Sequence, residues 1–286
     1  MRFPPPAEAG GFQRIIPMNT TLRLMCVLAH PDDESMGTGS TLAKYYAEGV
    51  ETYLVAATRG EKGWTGSEAD NPGPAALGKI RQAELLAAAQ VLGLRQVYFL
   101  DYIDGELDQV DSAEAVQKIT RYLRLVRPQV VITFGPDGNY GHPDHIAISQ
   151  YTTAATVCAA DVEYADREKL PPHRVSKLYY ITDTRQMWED IEEIIGEIHM
   201  PVDGVVRKPV LWEEWAITAR INGDQYWRQA LKAVLCHQSQ IDDFGDLSRL
   251  TDDQNRRLWG DRTYYRAYSL VNGGRDHEDD LFAGLR

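Results

Sequence analysis

The 286 residues carry 30 Lys and Arg against 42 Asp and Glu, a formal net charge of −12, with 43% hydrophobic and 25% charged residues. That balance belongs to a soluble globular chain long enough to bury a large core, and it excludes disordered and fibrous architectures. An acidic surplus without a basic stripe argues against nucleic acid and anionic membrane surfaces as partners, and no run approaches the roughly 18 to 20 apolar residues that span a bilayer.

The chain opens with Pro4, Pro5 and Pro6, then Gly10 and Gly11. This is not the order of a secretory signal, and residues 1–20 are expected to form a flexible arm on a cytoplasmic protein. Cys26, Cys158 and Cys236 are odd in number and set in apolar runs, which points to a reducing compartment. Residues 22–29 are apolar almost throughout, as in a strand covered on both faces. Residues 52–57, 97–100 and 130–134 repeat the pattern. Between these strands, Ile80, Ala83, Ala87, Val91 and Leu94 recur at helical spacing, as do Val116, Ile119, Leu123 and Val126, and each set predicts a buried helix face.

This alternation predicts an α/β fold: a doubly wound, Rossmann-like, mostly parallel sheet with helices on both faces, spanning residues 21–272 as a single domain. Beyond about residue 160 the pattern loosens into an irregular C-terminal extension. Strands are expected at 177–181, 215–221 and 265–270, an acidic surface helix at 187–195 and a further helix at 226–237. Residues 160–225 carry no motif and are expected to set specificity, while residues 273–286 are expected to form a solvated acidic tail. In a doubly wound sheet the first and fourth strands lie side by side where the strand order reverses, and ligands bind beyond their carboxyl ends.

Ala29-His30-Pro31-Asp32-Asp33-Glu34 follows the first strand, and Gly135-Pro136-Asp137-Gly138-Asn139-Tyr140-Gly141-His142-Pro143-Asp144-His145 follows the fourth. Adjacent carboxylates in a cleft repel unless a cation lies beside them. With the two strands adjacent, His30, Asp33 and one or both of His142 and His145 converge. Two histidines and a carboxylate with an open fourth position make a hydrolytic zinc site, although Fe²⁺ or another divalent ion suits the same ligands. A single His-Pro-Asp after a strand is usually a capped helix start. Two such segments at the predicted switch point favour the metal.

These two segments resemble the signatures of the PIG-L/LmbE-like deacetylases, zinc-dependent enzymes that remove the acetyl group from N-acetylglucosamine-containing substrates. Thr58-Arg59-Gly60-Glu61, Arg81, Glu84 and Asp104-Gly105 match further positions, so that the likeness covers residues 24 to about 155. The resemblance implies that His30, Asp33 and His145 hold zinc, that Asp32 is the general base, and that His142 stabilises the oxyanion. It also implies that Arg81 and Asp104 contact the sugar and that Tyr140 lies at the mouth of the site. In that picture a protonated His142 meets the oxyanion and Asp144 keeps it charged or oriented. The loop of residues 62–74, with Trp64, suits a flap stacking on a sugar ring. His237 lies on the apolar stripe of Tyr226, Ala230 and Ala233 and reads as a satisfied core histidine.

The expected activity is therefore metal-dependent removal of an N-acetyl group from a small amino-sugar substrate, which is the expected partner. The alternatives are an amidase on sugar-linked thiol conjugates, a phosphoesterase, or a carbohydrate-binding protein without turnover. The sequence is compatible with a homo-oligomer.

Overall fold

The first apolar run forms strand β1 (Arg23–Leu28), buried along nearly its whole length, followed by α1 (Asp33–Ala47), β2 (Glu51–Ala56), α2 (Pro74–Leu92), β3 (Gln96–Phe99), α3 (Ser112–Val126) and β4 (Val130–Phe134). The computed structural model describes residues 21–164, 168–198, 200–241, 247–274 and 276–286, so the expected arm at residues 1–20 lies outside the described residues. Next come a single turn, α4 (Gly138–Gly141), the long helix α5 (Pro143–Ala160), β5 (Lys177–Thr184) and α6 (Arg185–Ile194). They are followed by the hairpin β6 (Met200–Val202) and β7 (Val205–Arg207), then β8 (Leu211–Trp212), β9 (Ala219–Ile221), α7 (Trp227–Val234), α8 (Asp252–Trp259) and β10 (Arg262–Ser269).

The main sheet runs β3-β2-β1-β4-β5-β10-β9, with β8 paired to β5. Strands β1 to β5 are parallel, and β10 runs antiparallel to both β5 and β9. Met25 on β1 stands opposite Tyr53 on one side and Val131 on the other, so β1 is central and the strand order reverses between β1 and β4. This is the doubly wound α/β sheet that the sequence predicted. No helix among the described residues is long and apolar enough to cross a membrane.

Several expectations need correction. The buried stripe of α2 is Leu77, Arg81, Leu85, Ala88 and Leu92, whereas Ile80 is 42% exposed and Ala83 and Ala87 face solvent. Alanine and leucine surround this helix on all sides, so periodicity gives the helix but not its phase. In the segment 215–221 only Ala219–Ile221 is strand, and Trp215 is 68% exposed in a 3-10 turn. Helix α5 was not read from the sequence. Its polar start and Thr-rich body show no amphipathic stripe, because it is wedged between the sheet and α3, where Arg124 donates to the carbonyls of Ala159 and Cys158.

The C-terminal tail is docked rather than solvated. Leu281 and Phe282 are fully buried, and Phe282 meets Tyr45 edge-on at 5.2 Å. Glu278 accepts from Lys177 Nζ at 2.6 Å and is ion-paired with Arg266, whose Nη1 lies 3.0 Å from Oε1. A buried carboxylate held by two cations is one that composition alone reads as a surface charge. Truncating such a buried ring removes its burial and leaves a cavity, so Phe282→Ala is expected to lower the unfolding free energy by about 3 to 5 kcal/mol in urea. A loss below about 1 kcal/mol would contradict the docked tail.

Candidate metal centre

Beyond β1, Asp33 opens α1 and turns its carboxylate back, so that Oδ2 accepts the backbone N–H groups of Ala29 and His30 at 3.1 and 2.7 Å. This is the anion preference of a helix start. Asp32 sits between His30 and Asp33 at φ 112°. For a residue other than glycine this region costs on the order of 1 to 3 kcal/mol and persists only when neighbours enforce it. Three contacts do so: the Asp32 N–H donates to Glu34 Oε2 at 3.1 Å, while Arg81 Nη2 donates to Asp32 Oδ2 at 3.0 Å and to the Pro31 carbonyl at 2.6 Å. Gly60 and Gly63 make room for Arg81, since a Cβ at either would lie 2.3 or 2.2 Å from its Nη1.

Beyond β4, His142 is the N-cap of α5, and its Nδ1 accepts the Asp144 N–H at 3.1 Å. The capped helix start is thus present, and it serves the site. With the Nδ1 lone pair taken, the ring proton of His142 resides on Nε2. One turn on, His145 is buried with its ring stacked on Phe134, the last residue of β4, at 3.9 Å and 6°.

The two segments meet because β1 and β4 are neighbours. His30 Nδ1 lies 3.2 Å from His145 Nε2, while Asp33 Oδ1 lies 3.5 Å from His145 Nε2 and Asp33 Oδ2 lies 3.8 Å from His30 Nδ1. Ligands at bond lengths of about 2.1 Å around a tetrahedral ion stand about 3.4 Å apart. The donor set therefore fits a divalent metal with one open position. On the far side of the same ring, His30 Nε2 lies 3.1 Å from Asp104 Oδ1 and 3.2 Å from Asp144 Oδ2. Those carboxylates keep the ring proton on Nε2 and leave the Nδ1 lone pair facing His145 and Asp33.

Taken with one donor atom per residue, two groupings among the described residues lie within 4.8 Å: His30 with His142 and His145, and His30 with Asp104 and Asp144. The two carboxylates of the second grouping are committed elsewhere. Asp144 already accepts from the N–H groups of Gly105 and Leu107 at 2.7 and 3.1 Å, and Asp104 from that of Lys62 at 3.1 Å.

Charges follow this arrangement. Burial works against a charge on His30, but its carboxylate partners, Asp104 first, prevail and hold its proton affinity well above the ordinary histidine value, so an ion ligated at Nδ1 would displace a proton there. Burial, with the neighbouring His30 and His142, keeps His145 neutral, the form that ligates metal. Burial and the charge of His30 lower His142 to about 4. Asp32 is raised by burial, against the opposing pull of Arg81.

His30, Asp32, Asp33, His142 and His145 are thus brought together as expected, and Tyr140 stands edge-on to His145 and His142 at 5.3 and 5.7 Å. Arg81 and Asp104, expected to contact the sugar, are both engaged with residues of the site. They are 3% and 6% exposed, and their polar groups face Asp32, Pro31, Gly60, His30 and Lys62 rather than open space. Asp144 orients His142 through its backbone N–H, while the upward pull of its carboxylate on His142 is outweighed by burial and the charge of His30, so His142 is not kept charged. Trp64 folds back within its loop, donating Nε1 to the Ser67 carbonyl, and that loop is tied down by Gln240 Nε2 on the Gly63 carbonyl at 2.8 Å. His237 is buried and paired with Glu34 at 2.8 Å, a contact that the sequence expectation of a satisfied core histidine did not resolve. Outside His142, a cavity of about 300 Å³ is lined by Asp108, Gly141, Gln150, Tyr151 and Arg207. The Arg207 Nε is buried there without a hydrogen-bond partner among the described residues.

The sequence profile of the PIG-L family, described as GlcNAc-PI de-N-acetylase, matches residues 25–156. A 1D-myo-inositol 2-acetamido-2-deoxy-alpha-D-glucopyranoside deacetylase from Kineococcus radiotolerans is 30% identical over 98% of this chain and 87% of its own. A mycothiol S-conjugate amidase from Streptomyces coelicolor is 30% identical over 94% of this chain and 99% of its own. Among solved structures, an N,N'-diacetylchitobiose deacetylase from Pyrococcus horikoshii superposes with a TM-score of 0.64 at 20% identity, covering 85% of this chain and 83% of that one, a likeness of fold alone.

Outer partners of ligating histidines typically contribute 10- to 100-fold in metal affinity. Asp104→Asn is therefore expected to weaken divalent-metal binding by about that factor in competition with a chelator, with all three proposed ligands intact. Unchanged affinity would show that the carboxylate does not orient His30.

Proposed function

The chain belongs to the PIG-L family of de-N-acetylases, and from that membership and the geometry at the β1–β4 junction we propose that it hydrolyses the acetamide of an N-acetylglucosamine conjugate. The observation that carries this reading is the convergence of His30 Nδ1, His145 Nε2 and the Asp33 carboxylate at separations of 3.2 to 3.8 Å, with Asp32 held beside them by Arg81. Two imidazoles and a carboxylate suit Zn²⁺, with Fe²⁺ as the alternative. Bound there, the ion would supply an acidified water and a Lewis acid for the acetyl carbonyl.

The chain's own residues supply the rest. Asp32 accepts the proton of the attacking water and delivers it to the departing amine, a role to which its raised proton affinity is suited. His142 donates Nε2–H to the oxygen that becomes negative, and needs no positive charge to do so, because its Nδ1 is occupied by the Asp144 N–H. Tyr140 flanks both histidines and borders the entrance. Arg81 and Asp104 act one layer further out, on Asp32 and His30 respectively.

The name of the Kineococcus relative describes an inositol glycoside as its substrate, and the cavity beside Gly141 suits such a polyol. Arg207 offers a forked donor, and Asp108 and Gln150 offer acceptors for vicinal hydroxyls. Arg207 is the proposed contribution of residues 160–225 to specificity. A second reading, cleavage of an amide in a sugar-linked thiol conjugate, draws on the equally similar Streptomyces amidase.

Acetate release from N-acetylglucosaminyl inositol, set beside amine release from a bulky thiol-conjugate amide, decides between the two. The account expects acetate release to be at least tenfold faster in kcat/KM, and the reverse ratio would favour the amidase. Asp32→Asn is expected to keep about one metal per chain and lose about 10²- to 10⁴-fold in kcat. His142→Ala should lose about 10²- to 10³-fold with metal retained. Metal loss in either variant would overturn the division of roles. Arg207→Ala is expected to raise KM several-fold for the inositol conjugate and leave free N-acetylglucosamine unaffected.

A further inference from the structure

Glu34 and His237, separated by 203 positions in the chain, form a pair that is closed to solvent on both sides, with His237 Nε2 at 2.8 Å from Glu34 Oε1. They meet because α1 and α7 approach closely: a Cβ at Gly39 would lie 3.2 Å from that of Ala230. The Glu34 carboxylate is used at both oxygens. Oε1 accepts from His237 and from the Ser35 hydroxyl, and Oε2 accepts the backbone N–H of Asp32 at 3.1 Å. His237 Nδ1 has no hydrogen-bond partner among the described residues, so the polar contacts of this ring all run toward the loop that carries Asp32.

Burying a carboxylate and an imidazole is costly, and an apolar pair of similar shape generally serves a core at least as well. The buried pair is therefore better explained by what it holds. It holds the N–H of a residue whose backbone lies at φ 112°, where a non-glycine residue stays only if its surroundings fix it. Arg81 fixes the carboxylate end of Asp32, and Glu34 fixes the amide end. Without His237, the Glu34 carboxylate would lose its ion-pair partner and keep only the Ser35 hydroxyl and the Asp32 N–H, so that its hold on the Asp32 amide is no longer fixed from the α7 side.

We propose that His237, acting through Glu34, is a positioning residue for Asp32, so that the proton-transfer group of the site is assembled from opposite ends of the chain. The inference rests on the proposed hydrolase reading and adds to it a residue that touches neither metal nor substrate. The same segment carries Ser239, bonded to Glu84, and Gln240, bonded to Gly63, so its placement is set independently of the pair.

The test is a double-mutant cycle on the metal-loaded full chain, with acetate release from the N-acetylglucosamine conjugate as readout. Misplacing a reacting group by about an ångström can cost about 100-fold. His237→Ala is accordingly expected to lower kcat by about 10- to 100-fold, with KM within twofold and about one metal per chain. His237→Gln, whose amide nitrogen can reach Glu34, is expected to recover at least a third of the parent kcat and to match its urea midpoint. In an Asp32→Asn background, His237→Ala is expected to change the residual rate less than twofold, because the group it positions is already gone. An undiminished loss in that background, metal loss, a change in KM alone, or a His237→Ala variant as fast as the parent would each overturn the inference. The last result leaves the hydrolase reading standing. A parent protein that releases no acetate overturns that reading, and the inference with it.

Discussion

The imidazole of His30 is gripped from both sides, and the rest of the site depends on that grip. Asp104 and Asp144 stand at 3.1 and 3.2 Å from Nε2, while His145 and Asp33 stand at 3.2 and 3.8 Å from Nδ1. A ring so placed has one tautomer and one orientation, and its free lone pair faces the other donors. The constraint is topological before it is chemical. His30 and His145 are 115 positions apart in the chain, and only the adjacency of β1 and β4 lets them touch. The sheet order thus decides which residues form a site, and the carboxylates behind His30 decide what that site can hold.

A second layer is drawn from residues that hold no ion themselves. Arg81 comes from the buried face of α2, Asp104 from the turn after β3, and Glu34 with His237 joins α1 to the segment after α7. Each is a buried polar group whose desolvation is offset by hydrogen bonds to the inner residues. The layer also enforces the unfavourable backbone of Asp32, which aligns its carboxylate independently of Asp33 although the two are neighbours in sequence. One carboxylate can then bind an ion while the other moves a proton, a division of labour that two freely rotating aspartates would not keep.

Much of this was legible in the sequence, and what escaped has identifiable causes. The strands at residues 22–29, 52–57, 97–100 and 130–134 announce themselves because both their faces are buried, and the two histidine-aspartate segments fall where a doubly wound sheet places ligands. The phase of α2 escaped because Ala and Leu surround it. The one polar residue in its true stripe, Arg81, was the available signal, a charge where the helix faces inward. Asp104 and Asp144 look like turn and cap residues in one dimension, and their shared hold on His30 exists only after folding. Helix α8 went unread although Thr251 and Gln254 form a capping box whose residue spacing is visible in the sequence. The pairing of Glu34 with His237 spans almost the whole chain, and no local pattern encodes it.

The central claim is that His30, Asp33 and His145 share a single ion, with Asp104 and Asp144 behind His30 and outside its coordination sphere. A crystal structure of the zinc-loaded protein, with the ion located by anomalous scattering at the zinc edge, tests this most directly. The account predicts one peak at about 2.0 to 2.2 Å from His30 Nδ1, His145 Nε2 and an Asp33 oxygen. A peak bound instead through His30 Nε2 to Asp104 and Asp144, or one displaced to His142 without Asp33, would contradict it.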